Sequence, residues 1–142
     1  MIKETFHIPD LIPLEDYVRE PSLKFLTQVY RTFGTLEFLE LNPPIVRKIG
    51  NWYYVEDGNH RCVWNLINGN DKINAYLEIP TKEEIKSTLS TVKSTRKFGI
   101  YSMEDLVNLV EDKEKYTSNG SIDYKITRED LKNPNYNLLF KL

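Results

Sequence analysis

The residues best suited to chemistry lie in one short stretch, where Asp57, Gly58, Asn59, His60 and Arg61 follow one another. An apolar run typical of a strand precedes them, and apolar residues at helical spacing follow. The stretch is therefore predicted to be a tight turn leading into the first turn of a helix. The first N–H groups of a helix lack partners within it, and the helix dipole places partial positive charge beside them. Such a turn is able to hold an anion, for example a phosphate.

Three residues in this turn suit a phosphate ligand. Gly58 allows the backbone to approach a ligand closely, because it has no Cβ. His60 and Arg61 lie in the first helical turn, where a cation opposes the helix dipole at a cost of up to about 1 kcal/mol. A residue placed where it destabilises its own helix favours a functional explanation. Arg binds phosphate bidentately, so a bound phosphate would supply that explanation. The structural alternative is that Arg61 pairs with Asp57 or Glu56 and that His60 is a satisfied turn residue.

The elements that position this turn can be predicted from apolar spacing and turn residues. Strands are predicted at 45–49 and 52–55, joined by a two-residue hairpin turn at Gly50-Asn51 that requires positive φ. A helix is predicted over residues 59–68, and a strand over 73–79.

Helices and short strands are predicted elsewhere along the chain, which gives a mixed α+β order. They comprise a strand and turn in residues 1–13, a helix from Pro21-Ser22 to Phe33 that Gly34 closes, helices over 82–94 and 103–112 that begin with capping boxes, and a strand at 122–126. Residues 36–41 fit either a short helix or a bent strand.

Several segments together resemble the ParB/sulfiredoxin-like superfamily. They are PPIV at residues 43–46, WYYVEDGNHR at 52–61, INAYL at 73–77 and the opening HIPDLIP at 7–13. The resemblance covers residues 5–79, and its most specific part is the DG-x-HR turn.

The resemblance implies an α+β fold with a small mixed sheet, flanking helices and a turn that holds nucleotide phosphates. The core with this resemblance is assigned to residues 1–80, and the helices predicted beyond it form a C-terminal extension over 81–142, packed on the core as one domain. Members of the superfamily include nucleotide-dependent sulfinic-acid reductases, CTP-hydrolysing partition proteins, free-serine kinases and proposed nucleases. The fold alone therefore does not fix the reaction.

Two departures narrow that range. Sulfiredoxins have a catalytic Cys immediately before the His-Arg pair, where this chain has Asn59. The only cysteine, Cys62, follows Arg61 and is predicted to be a buried thiol. Partition proteins have a DNA-reading helix-turn-helix after this core, and residues 80–142 lack its spacing.

The predicted function is therefore nucleotide-phosphate binding with phosphoryl transfer or NTP hydrolysis. The resemblance assigns phosphate binding to residues 57–61, and Asp57 is also the candidate ligand for Mg²⁺ that enters with ATP, ADP or CTP. His60 is a candidate catalytic residue. Glu15 or Glu20 is the candidate base, because kinase-like members have a glutamate just after the Leu-x-Pro turn. The alternative for these acids is a solvated surface position, and the acceptor, a small molecule or a protein, is not identified.

Other classes of function remain open. The chain has 142 residues with 19 basic and 21 acidic side chains, so net charge provides no general attraction for nucleic acid or anionic membrane. A DNA-associated ParB-like nuclease or DNA-binding module is the alternative function, and a degenerate member that binds only a protein partner is a third. Because no segment reads as a signal peptide or a membrane span, a cytoplasmic protein is expected, with no membrane partner.

Overall fold

A five-stranded mixed sheet forms the centre of the fold. The structure is a computed structural model that describes residues 1–36, 39, 42–132 and 142. The strands are β1 (Ile2–His7), β2 (Leu11–Pro13), β3 (Ile45–Ile49), β4 (Trp52–Asp57) and β5 (Lys72–Glu78). Their order in the sheet is β1-β5-β3-β4-β2. The β1/β5 and β3/β4 pairs are antiparallel, whereas β3/β5 and β2/β4 are parallel.

Five α-helices accompany the sheet in the described part of the chain, which confirms the mixed α+β class. They are α1 (Glu20–Phe33), α2 (Asn59–Ile67), α3 (Lys82–Lys97), α4 (Met103–Val107) and α5 (Arg128–Leu131). Short 3-10 turns lie at Ile8–Asp10 and Glu114–Tyr116. None of the helices described is both long enough and apolar enough to cross a bilayer.

The central hairpin forms as predicted. Ile49 and Trp52 are paired across β3 and β4, and Gly50 has a φ of 61° in the turn between them. The register shifts between Ile45 and Val46, so this end of the hairpin is irregular. Beyond it, β4 continues to Asp57 and carries the chain directly to the start of α2.

Alternation along β4 places helices on both faces of the sheet. Val55 and Tyr53 contact the main core, to which α1, α2 and α4 contribute. Tyr54 packs on the opposite face against Ile12 of β2 and Val92 of α3. Residues beyond 81 also supply the main core, with Met103, Leu106, Val110 and Tyr116. The sheet is therefore covered on both faces by helices that follow it in the sequence as well as by α1 and α2.

An arginine joins α3 to the sheet. The Arg47 guanidinium donates to Glu78 at 2.9 Å and to Glu84 of α3 at 2.8 Å, and it pairs with Glu56 at 3.0 Å. Its Nη1 also lies 3.2 Å from the Thr88 hydroxyl. The side chain of Arg47 is 11% exposed, so three carboxylates surround a nearly buried cation.

Two predicted elements differ in the structure. Residues 122–126 do not form a strand. Side chains of α1 donate to the carbonyls of this segment instead: Arg31 to Ile122 at 2.5 Å, Gln28 to Asp123 at 3.1 Å and Thr32 to Tyr124 at 3.3 Å. The helix predicted over 103–112 ends at Val107, where N–H groups begin to bond to carbonyls three residues back. Of the ambiguous 36–41 segment, residues 37, 38, 40 and 41 lie outside the described residues.

Candidate functional site

The backbone of the predicted phosphate turn depends on a glycine. Gly58 lies between β4 and α2 as the helix N-cap and has a φ of 106°. A Cβ at this position would lie 2.6 Å from the Cβ of Pro44. Both the backbone conformation and the packing on Pro44 therefore require glycine.

The next two side chains hold the segment that precedes α1. Asn59 accepts from the Leu14 N–H at 3.2 Å and donates to the Val55 carbonyl at 3.1 Å. His60 accepts from the Arg19 N–H at 2.8 Å through Nε2. A ring nitrogen that accepts a hydrogen bond has no proton, so His60 is a neutral imidazole in this arrangement. Both side chains are buried, and their contacts fix residues 14–19 against the start of α2.

The candidate bases lie in or next to that segment. Glu20 begins α1 and accepts from the Tyr116 hydroxyl at 2.5 Å, and Lys115 lies 3.2 Å from the same oxygen. The Tyr116 hydrogen bond, followed by Lys115, lowers the pKa of Glu20 below its ordinary value. A lowered pKa makes a carboxylate a weaker base. Glu15 is half-buried in the segment that Asn59 and His60 hold.

The N-terminus of α2 already has a partner within the chain. The Arg61 N–H donates to the carbonyl oxygen of Leu142 at 2.9 Å, and the Leu142 side chain is fully buried. The Cys62 N–H donates to the Gly58 carbonyl as part of the helix. The third N–H of the helix is therefore used by the far end of the sequence, which no local pattern could indicate.

A cavity of about 420 Å³ lies beside α2, between the C-terminal end of α1 and the start of β5. Arg61 is one of its lining residues, although it is only 5% exposed. The other polar residues that line it include Lys72, Asn65, Asn68, Asn70 and Asn74. Tyr30 and Trp64 add aromatic surface. Glu15, Glu20, Asp57, Asn59 and His60 are not among its lining residues, so Arg61 is the candidate residue that the cavity shares with the predicted turn.

Asp57 is the carboxylate that interacts with Arg61. Burial raises its pKa, and the Arg61 charge and a hydrogen bond from the Gly58 N–H partly offset this effect. A desolvated carboxyl with a specific charge partner is a candidate for a functional residue.

Asp57 could serve as a ligand for Mg²⁺ only where a bound nucleotide supplies other ligands of the ion. The described residues contain no group of three or more His, Cys, Asp or Glu side chains that could hold a metal ion. Mg²⁺ that accompanies a nucleotide needs only one or two carboxylates, because phosphate oxygens and water complete its shell. Asp57 suits that arrangement and does not suit an all-protein site.

Cys62 is buried, as predicted. Burial raises the pKa of its thiol to about 12, and the nearby Arg61 charge only partly opposes this. The thiol is therefore protonated at neutral pH and unsuited to nucleophilic or redox chemistry.

Comparison with known proteins does not assign the chain to a family. No protein-family model matches the chain, and no curated protein matches it. The ParB/sulfiredoxin resemblance thus depends on the residues quoted above and stays a prediction.

Proposed function

We propose that this protein binds a nucleotide through its phosphates, with Arg61 as the central phosphate ligand. The observation that carries the proposal is that Arg61, an arginine only 5% exposed, is among the residues that line a cavity of about 420 Å³. A cavity of that size is within the range that small-molecule ligands occupy.

The electrostatics of the cavity favour an anion. Arg matches phosphate oxygens bidentately, and burial strengthens such charge-assisted bonds because it excludes water. Lys72 supplies a second cation to the same lining. The dipole of α2 adds positive potential at the Arg61 end. Since the Arg61 N–H bonds to Leu142, the proposed contact with phosphate depends on the side chain more than on the backbone.

The proposed reaction is phosphoryl transfer or NTP hydrolysis, in which positioning and electrostatic stabilisation provide most of the catalysis. Asp57 would hold Mg²⁺ that arrives with ATP, ADP or CTP, and that ion would neutralise phosphate charge. Of the two candidate bases, Glu15 suits proton abstraction better than Glu20, whose pKa is lowered. His60 is assigned a positioning role, because its Nε2 accepts from Arg19 and so fixes the segment that carries Glu15.

Calorimetric titration tests the binding step. ATP, ADP, CTP and GTP, each with and without Mg²⁺, are titrated into the wild type, Arg61→Ala and Arg61→Lys, with melting curves for each. We expect affinity for the preferred nucleotide to fall roughly ten- to a hundredfold in Arg61→Ala. Arg61→Lys keeps a positive charge beside Asp57 but loses bidentate geometry, so its affinity should fall by less. Arg96→Ala is the control, because Arg96 is exposed and packs on the Tyr101 ring.

The alternatives make different predictions. If Arg61 only balances Asp57, Arg61→Ala lowers the melting temperature and leaves nucleotide affinity unchanged. If the wild type binds no nucleotide at millimolar concentration, the proposal fails. A salt-dependent DNA mobility shift would then favour the DNA-associated function.

A further inference from the structure

We propose that the exposed side of α3 is a docking surface for a single-stranded nucleic acid. The lysines of this helix, which together we call the lysine stripe, are Lys82, Lys86, Lys93 and Lys97, and all are exposed. The stripe lies outside the segments that resemble the ParB/sulfiredoxin-like superfamily. No residue of α3, which the structure describes throughout, lines the cavity beside α2. The inference therefore does not depend on the proposed function.

The lysine stripe follows the helical repeat along the solvent side of α3. Its members are four, seven and four residues apart, so at about 100° per residue they fall within an arc of roughly 60°. They extend over about 22 Å of helix at the usual rise per residue. The other side of α3 faces the sheet, where Val92 packs against Tyr54 and the Thr88 hydroxyl lies 3.2 Å from Arg47.

The charge of the lysine stripe is not neutralised by the described part of the chain. Among the residues that the structure describes, no ion pair joins any of these lysines to a carboxylate. The acidic residues of α3, Glu83 and Glu84, both lie in its first turn, and Glu84 pairs with Arg47 at 2.8 Å. The stripe is therefore a local cationic surface on a chain whose formal net charge is -2.

Helix stability does not explain this arrangement. Lys82 and Lys86 are four residues apart, as are Lys93 and Lys97, and like charges at this spacing destabilise a helix. Lys82 also lies in the first turn, where a cation opposes the helix dipole, whereas Lys97 lies in the last turn, where a cation is favoured. A pattern that reduces the stability of its own helix favours a functional explanation.

Aromatic residues adjoin the C-terminal end of the lysine stripe. Phe98 and Tyr101 are 69% and 58% exposed, and the Arg96 guanidinium lies 5.6 Å from the centre of the Tyr101 ring. This contact places the Tyr101 ring beside the last turn of α3. Proteins bind single-stranded nucleic acid with cations that follow the phosphates and with aromatic rings on which unpaired bases stack. A duplex keeps its bases stacked on each other, so the combination favours a single strand.

An anionic membrane suits this surface less well. A helix that lies in a membrane interface buries an apolar face among the lipids. In α3 the buried apolar residue, Val92, already packs against the sheet. Leu89 is the only large apolar residue of α3, a helix described along its whole length, that is exposed.

Fluorescence anisotropy on the full chain tests the contribution of charge. Labelled single strands of mixed sequence, one of RNA and one of DNA, and a labelled DNA duplex are titrated over a range of salt concentrations. The stripe variant combines Lys86→Gln, Lys93→Gln and Lys97→Gln. The matched control combines Lys24→Gln, Lys48→Gln and Lys125→Gln, which remove the same charge from exposed lysines of other segments.

Phe98→Ala tests the contribution of stacking in the same assay. Tyr124→Ala is its control, because Tyr124 is an aromatic residue of another segment with 55% exposure. Melting curves for every variant confirm that it is folded.

We expect the wild type to bind at least one of the single strands more tightly than the duplex. The slope of log affinity against log salt should be about -3, since each neutralised phosphate of a single strand contributes about -0.7. The stripe variant should reduce the size of this slope by about 2, and the control triple variant should retain it. Phe98→Ala should weaken single-strand binding roughly fivefold or more without changing the slope, and Tyr124→Ala should have no effect.

Four results would overturn the inference. The first is no binding to either single strand at low salt, and the second is tighter binding to the duplex. The third is an equal loss in the stripe and control triple variants, which would assign the binding to net charge alone. The fourth is binding to vesicles that contain phosphatidylserine but to neither strand, which would assign the stripe to a membrane. None of these results affects the proposed nucleotide site, because that proposal rests on Arg61 and the cavity.

Discussion

Arg47 and Arg61 show how differently this fold uses two nearly buried arginines. Arg47 meets three carboxylates on the α3 face of the sheet, at 2.8–3.0 Å. Arg61 lies on α2, interacts with the carboxylate of Asp57 and lines a cavity. Burial is similar in the two cases, so burial of a cation does not by itself indicate a ligand site. The surroundings make the distinction: three carboxylates around Arg47 indicate a structural contact, whereas Arg61 also lines a cavity with room for a ligand.

Gly58→Ala should give the largest loss of stability, and it changes the turn that leads to Arg61 without touching the contacts of Arg47. The new Cβ would meet Pro44 at 2.6 Å, and φ at this position is 106°. The backbone strain and the overpacking together should destabilise the fold by about 2–4 kcal/mol. The free energy of unfolding from urea titration measures this effect.

Gly69→Ala is the matched control at the other end of α2. Gly69 has a φ of 77°, but nothing lies within 4 Å of a built Cβ. This control should cost only about 1 kcal/mol from backbone strain. Equal effects for the two variants would show that the contact with Pro44 does not constrain the turn.

Arg47→Ala should give the next largest effect and should leave ligand binding unchanged. Removing the guanidinium leaves Glu56, Glu78 and Glu84 close together without their shared cation. Because these carboxylates are partly exposed, we expect a loss of about 2–3 kcal/mol in stability, below the usual value for a fully buried pair. Urea titration measures the loss, and nucleotide titration below the unfolding transition should match the wild type. A weakened affinity in the folded variant would contradict the division between the two arginines.

Much of the fold could be predicted because its signals are local. The Gly50-Asn51 hairpin, the alternation in β4 and the helix after Gly58 each follow from a few adjacent residues. The predicted strand at 122–126 was wrong for a non-local reason: side chains of α1, far away in sequence, bond to the carbonyls of residues 122–124. Alternating residue types describe a segment that suits a strand, but they do not supply a neighbouring strand to pair with.

In the candidate site, too, the local features could be predicted from the sequence and the contacts between distant segments could not. Sequence spacing identified Arg61 and Gly58, since a strand-turn-helix junction is read within a few residues. It did not reveal that Asn59 and His60 would bond to the backbone of residues 14–19, or that the cavity would join α1, α2 and β5. A usable signal for the cavity was present: Asn65, Asn68, Asn70 and Asn74 recur within ten residues, an unusual density of amides. Only the fold shows that all four line one space.

The smallest expected effect concerns how stability depends on pH, because carboxylates with a raised pKa and with a lowered pKa respond to acid in opposite ways. Burial raises the pKa of Glu56 beside Arg47, with the Arg47 charge partly opposing it, whereas the Tyr116 hydroxyl and Lys115 lower the pKa of Glu20. A lowered folded pKa contributes stability that is present above the ordinary glutamate value of 4.5 and is lost as pH falls through the folded pKa.

Tyr116→Phe should therefore cost roughly 1 kcal/mol at pH 7, reduced from the usual charged hydrogen bond because Glu20 is half-exposed. That cost should shrink once the pH falls below about 4.5. Urea titrations from pH 7 to pH 3 measure the difference, with Tyr101→Phe as an exposed control whose effect should not depend on pH. A Tyr116→Phe cost that grew with acid would mean that the hydroxyl prefers a protonated Glu20, and Glu20 would then equal Glu15 as a candidate base.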